Sequence, residues 1–270
     1  MARLTVLRSP WRVLQWVGLA VVIFHAFAFG LWSPGLDARV YYEVELESFG
    51  PGEIFGTSFT YSPAAAWWIQ PLQGLPFDAF RTLVVAVNMA AFVYLIGSVF
   101  AAVLLLSQLL PVWMEFQQGN INFALGAALV LGFRHAGWYA FPLVTKVTPA
   151  IGMVWFAVRR EWRSLVAAAV VSLIIVVPSL ALHAPTWPIW VESLMANARV
   201  DAQVGAPILL RTALAAAVVA WGARTDRAWT VPVAAALVAH VNSSGWLIGL
   251  AAVPLLADYR ERSATTPQSV

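Results

Sequence analysis

The chain has 270 residues, of which 61% are hydrophobic and 11% charged, with 14 tryptophans and no cysteine. A soluble chain would be roughly a quarter charged, so an ordinary cytosolic enzyme is excluded and most of the chain is expected in lipid. Absence of cysteine removes disulfide frameworks and thiol chemistry, while the formal charge of +3 comes from arginines spread between apolar runs, which excludes a nucleic-acid partner.

A basic start, Arg3, Arg8 and Arg12, precedes an apolar run from Val13 to Trp32. That run is longer than the core of a signal sequence, and Ser33-Pro34-Gly35 is a poor cleavage site, so it is expected as a retained first span with a cytoplasmic N-terminus. Residues 33 to 62 then lie outside, carrying Asp37, Glu43, Glu45, Glu47 and Glu53 against Arg39, in keeping with the positive-inside rule. Pro63 to Leu75, with the Trp67-Trp68 pair, is expected as a short helix at headgroup level.

The stretch from Phe80 to Trp113 is too long for one upright span, and a break near Gly97-Ser98 divides it. Apolar stretches follow at 121–133, 137–158, 164–182, 206–222 and 229–257. The 137–158 stretch has arginine at both ends. If both ends face the cytoplasm, the chain turns back around Lys146-Val147-Thr148-Pro149, since proline disfavours helical geometry just before it. The 229–257 stretch breaks likewise at Asn242-Ser243-Ser244-Gly245, leaving Arg260 and Arg262 cytoplasmic.

The expectation is an all-α, polytopic protein of the plasma membrane with about ten transmembrane helices, several of them short or broken. Residues 1–260 form one transmembrane domain and 261–270 a polar cytoplasmic tail. This topology turns Asp37, the Gln117-to-Asn120 turn, Lys146, a loop from His183 to Val204 and the His240-to-Asn242 turn outward. Broken helices at membrane depth are tolerated where they line a polar cavity, so these segments are expected to wall one.

Lys146 is the strongest signal for function. Of the 16 Lys+Arg residues it alone is lysine, and an ammonium among Phe141-to-Val144 and Ile151-to-Val154 is costly in hydrocarbon unless it has a partner. A snorkelling lysine is the plainer reading. Beside a helix break, a cation suits an anion such as a phosphate. Asp37, just above the first span, is a candidate general base or a helix cap, and Arg39 is its ion-pair partner or a second anion ligand. Gln118, Asn120 and Asn122 gather amides that can hold sugar hydroxyls, although Asn120 can also cap the following helix. His240 with Asn242 is a weaker candidate. Four scattered histidines have no metal-ligand spacing, and no phosphate-loop, nucleophile-elbow or dinucleotide motif is present, so no metal or cofactor is expected.

Taken in order, Gly35-Leu36-Asp37 with Tyr41, Phe59-Thr60-Tyr61-Ser62-Pro63, Gln118-Gly119-Asn120-Ile121-Asn122, Thr145-Lys146-Val147-Thr148-Pro149 and Arg159-Arg160-Glu161-Trp162-Arg163 resemble glycosyltransferase family 87. These are membrane enzymes of the GT-C type that take a sugar from a polyprenyl phosphate, many of them actinobacterial mannosyltransferases. The likeness covers roughly residues 30 to 165. It implies that Asp37 is the catalytic base, that Lys146 binds the donor phosphate, and that Gly119, Asn120 and Asn122 form the family's glycine-asparagine turn; Arg39 is a further candidate for the phosphate, and Gln118, Asn120, Asn122, Tyr61 and His240 are candidates to contact sugar or substrate. The partners it implies are a polyprenyl-phosphate-sugar donor and a lipid or glycan acceptor. Two other readings are open to the residues alone: a transporter or flippase for an anionic lipid, and a noncatalytic membrane partner protein.

Overall fold

The computed structural model describes residues 35–46, 59–98, 101–102, 105–106, 110–239 and 244–265. The first span, His240 and Asn242 lie outside these residues. Among the described residues every regular element is helical.

The N-terminal part is short-helical: α1, Leu36–Tyr42, then α2, Pro63–Ile69, which runs on into a 3-10 segment at Gln70–Gly74. Ser62 caps α2 by accepting from the amide of Ala65, and Pro63 stands at its first position, where a missing N–H costs nothing. Next come α3, Phe77–Ile96, ended by Gly97 in the left-handed region at φ 68°, then α4, Leu110–Gln118, and α5, Asn122–Gly132.

Around Lys146 the chain is broken into α6, Ala140–Val144, a 3-10 turn at Thr148–Gly152 and α7, Met153–Val158. The second half comprises α8, Trp162–Leu182, α9, Thr186–Val204, α10, Ile208–Arg224, and α11, Thr230–Val238. A 3-10 run at Ser244–Ala251 and α12, Ala252–Thr265, complete it.

The segment from His183 to Val204, expected as a loop, is corrected by α9. From Ile189 onward it contains neither glycine nor proline, and Pro188 sits in the first turn, where it removes no helical bond. The Trp190 indole donates to the Thr60 carbonyl at 3.2 Å, tying this helix to the segment before α2.

Helix α5 is the centre of the core. Phe123, Leu125 and Leu129 are fully buried, and Phe123 packs with Phe92 and Phe116 at ring-centroid distances of 4.6 and 5.4 Å. Helix α3 and the Ser244–Ala251 run press on α5 where it carries Gly126: a Cβ there would stand 3.1 Å from Leu95 and 3.3 Å from Ala251.

Two helices, α3 and α8, are long and apolar enough to cross a membrane. At 20 and 21 residues each extends about 30 Å, the thickness of a hydrocarbon layer. On α8, Ile174 and Leu182 are each 65% exposed and Leu173 54%, an apolar surface that water would disfavour and lipid chains would cover. Among the described residues the architecture is all-helical, with two helices suited to a membrane.

Candidate active site

Helix α5 begins in one cluster of polar residues and ends near another. At its C-terminal end Arg134, Arg159, Glu161, Asp226 and Asp258 line a depression of about 380 Å³, where Arg159 pairs with Glu161 and with Asp226, both at 2.8 Å. At its N-terminal end stand the residues singled out from the sequence.

There the Lys146 ammonium donates to Asn122 Oδ1 at 2.8 Å and to Asn120 Oδ1 at 3.2 Å, and lies 5.8 Å from the centre of the Tyr61 ring, within reach of a cation–π attraction. Two of its three donors are thus engaged, leaving the third for a ligand. The backbone that carries it is strained. Val147 has φ 35°, a region β-branched residues avoid, and the amide of Thr148 bonds back to the Lys146 carbonyl in a tight turn. The Thr148 hydroxyl donates to the same carbonyl at 2.9 Å. Held strain of this kind collects at functional sites.

Asn120 and Asn122 are placed by the turn between α4 and α5. Gly119 takes φ 71°, and a Cβ on it would stand 2.7 Å from the Ala38 methyl. The glycine therefore lets α1 lie directly on the turn. Asp37 and Tyr41, one helical turn apart on α1, consequently face the same site. The Tyr41 and Tyr61 hydroxyls share a bond of 2.7 Å, and Tyr41 reaches Asn120 Oδ1 at 3.5 Å. Burial pushes the Asp37 carboxyl above its ordinary range, and the Lys146 charge pulls it part of the way back. Burial likewise raises the Tyr61 phenol, which keeps it a neutral donor.

The structure brings Asp37, Tyr61, Asn120, Asn122 and Lys146 together. Gln118 is half-buried in the last turn of α4, just before Gly119. Arg39 turns away on the exposed side of α1, pairing with Glu43 at 3.1 Å and stacking 4.8 Å over Phe77. It is thus not the ion-pair partner of Asp37. Neither Asp37 nor Asn120 caps its helix. Gly35 is the N-cap of α1, and the Asn120 Oδ1 accepts instead from the adjoining amide of Ile121 at 2.8 Å. Among the described residues no three His, Asp or Glu side chains gather as a metal site would require.

Two residues of the site escaped the sequence reading. Glu115 on α4 is fully buried and accepts from the Asn122 amide N–H at 2.7 Å and from Asn122 Nδ2 at 3.0 Å. Ser244, at the start of the 3-10 run, accepts from Asn122 Nδ2 at 3.0 Å and from Asn120 Nδ2 at 3.3 Å. A signal for Glu115 existed, since it is the one charged residue between Arg81 and Arg134.

The sequence model described as Glycosyltransferase family 87 matches residues 59–265. The chain belongs to glycosyltransferase family 87. Its match to the family opens just before Tyr61, takes in Glu115, Asn120, Asn122, Lys146 and Ser244, and continues well beyond the residue-165 limit of the motif likeness. Asp37 lies N-terminal to the matched range. No curated protein and no solved structure matches the chain. Membership of family 87 makes the protein a glycosyltransferase, and its site is to be read with a sugar donor and an acceptor in view.

Proposed function

We propose that this family 87 protein transfers a sugar, mannose in the first instance, from a polyprenyl phosphate to a lipid-linked or cell-envelope glycan at the outer face of the plasma membrane. The observation that carries the reading is the meeting of a buried-edge carboxylate, Asp37, with the chain's single ammonium, Lys146, beside two asparagines and a tyrosine.

In this mechanism the donor phosphate sits against the free donor of Lys146, and Asn120, Asn122 and Tyr61 orient the sugar. Asp37 takes the proton from the acceptor hydroxyl as its oxygen bonds to the anomeric carbon. The bond from that carbon to the phosphate oxygen breaks on the opposite side, with inversion, and Lys146 stabilises the negative charge gathering on the departing polyprenyl phosphate. A carboxylate raised by burial is the stronger base, and the ammonium keeps it ionised. Arg39, paired with Glu43 on the exposed side of α1, takes no part in the reaction in this reading.

The test is transfer of label from radiolabelled polyprenyl-phosphate mannose in proteoliposomes containing membrane-derived acceptor glycans. Label moving to a glycan only when the protein is present supports the reading. Label that stays on, or merely crosses the bilayer with, its polyprenyl carrier refutes it and favours a transporter.

A further inference from the structure

The bonds around Lys146 have a direction, and that direction starts at Glu115. A carboxylate only accepts, whereas a primary amide has one accepting and one donating end. Both Glu115 oxygens face Asn122, one on its backbone N–H and one on its side-chain NH2. The NH2 end of Asn122 is therefore fixed toward Glu115, and its carbonyl end must point the other way, to Lys146 at 2.8 Å. Ser244 extends the same logic. Its oxygen accepts from the NH2 groups of both asparagines. The Asn120 carbonyl, fixed by the Ile121 amide N–H at 2.8 Å, faces Lys146 as well. The ammonium, which only donates, requires the same orientation of Asn122, and the carboxylate holds that amide in place from its other side.

We infer that Glu115 is a positioning residue of the transfer site: acting through Asn122, it anchors the amide that holds Lys146, and so aims the remaining ammonium proton at the donor phosphate. This rests on the function proposed above for its link to catalysis, though not for the geometry itself. The buried charge at Glu115 is thereby given a use that does not require contact with substrate.

The test exploits the lysine's singularity. Protein labelled with 15N-lysine gives one side-chain signal, from Lys146. Glu115→Gln keeps the shape but leaves one acceptor where Asn122 presents two donors. The Asn122 amide thereby loses one of its two anchors on residue 115, and its hold on the ammonium loosens. The expected results are a displaced lysine signal, weaker binding of a short-chain polyprenyl phosphate, and a transfer rate at least tenfold lower with a raised donor KM. Asn122→Asp in the Glu115→Gln background restores complementarity, because the introduced carboxylate accepts from the introduced amide and from Lys146 alike. The double variant should recover the lysine signal and most of the affinity, although Asn122→Asp alone is impaired.

A wild-type lysine signal and donor affinity in Glu115→Gln would overturn the inference. So would a double variant no better than the product of the two single losses, which is what a purely structural role predicts. If the unmodified protein moves no sugar, the functional reading fails, while the lysine signal and phosphate binding still decide the role of Glu115. Should Glu115→Gln not fold, an Asn122→Asp defect that Glu115→Gln fails to rescue overturns it equally.

Discussion

Gly119→Ala isolates the placement of the proposed base from every group that would touch substrate. At φ 71° an alanine is held in the left-handed region, at a cost of about 1–2 kcal/mol in stability. Its methyl would meet the Ala38 methyl at 2.7 Å, against an ordinary contact of roughly 3.5–4.0 Å, so α1 must retreat by about 1 Å. A misplacement of that size costs about 100-fold in rate. Adding Ala38→Gly removes the opposing methyl and leaves its backbone nitrogen and Cα at 3.5 and 3.6 Å, both ordinary contacts. The left-handed strain stays, and a glycine within a helix costs about 0.5–1 kcal/mol more. The single variant should therefore transfer sugar about 100 times more slowly in the proteoliposome assay. The double variant should recover most of that rate while melting lower than either parent in detergent. Wild-type turnover in Gly119→Ala, or a double variant as slow as the single, would refute the claim that the Ala38–Gly119 contact places Asp37.

Asp37→Asn should fold and lose transfer by three orders of magnitude or more, measured as label incorporated per unit of protein; turnover near that of the unmodified chain would remove Asp37 as the base. Because burial raises the Asp37 carboxyl while Lys146 lowers it, the acid limb of the rate–pH profile should lie above the ordinary carboxylate range. Lys146→Met should move that limb to still higher pH in whatever activity remains. In stability the sign follows from the same shift. The protonated form favours folding, so its contribution is complete below the unfolded-state value and is lost as pH rises through the folded-state value. Melting of Asp37→Asn across pH 4 to 8 should lack that decline. Ser62→Ala deletes both the cap of α2 and the hydroxyl bond to the Val144 carbonyl, and should lower stability by about 1–2 kcal/mol in denaturant titration, with transfer reduced less than in Gly119→Ala.

Some of this was legible in the residues and some was not, for identifiable reasons. Helix breaks carry strong local signals, and the helices end at Gly97 and turn at Lys146-Val147-Thr148 where glycine and X-Pro chemistry places them. A lone ammonium between apolar runs pointed to Lys146 because charge is costly there. The same rule applies to Glu115, although Gln117 and Gln118, two and three residues on, dilute the apolar run around it. Arg39 stands only two residues from Asp37 along the chain. On a helix, residues two apart point to different sides, so Arg39 reached Glu43, four residues on, instead. The segment carrying α9 read as loop because its charges and amides dilute the apolar period, although nothing in it breaks a helix. Ser244 became visible only once the tertiary fold set it against two asparagines distant in sequence.

Helix α1 has seven residues and no side-chain cap, and rests on Gly119 through a single methyl. Seven residues are too few to hold helical form unaided, so the element survives only while docked. Circular dichroism, dominated by the long spans, would scarcely register its departure. Harsh solubilisation should thus yield protein that looks folded by every bulk criterion and has already shed its acid, with function returning on transfer to a milder lipid surrounding before any change in helix content is seen.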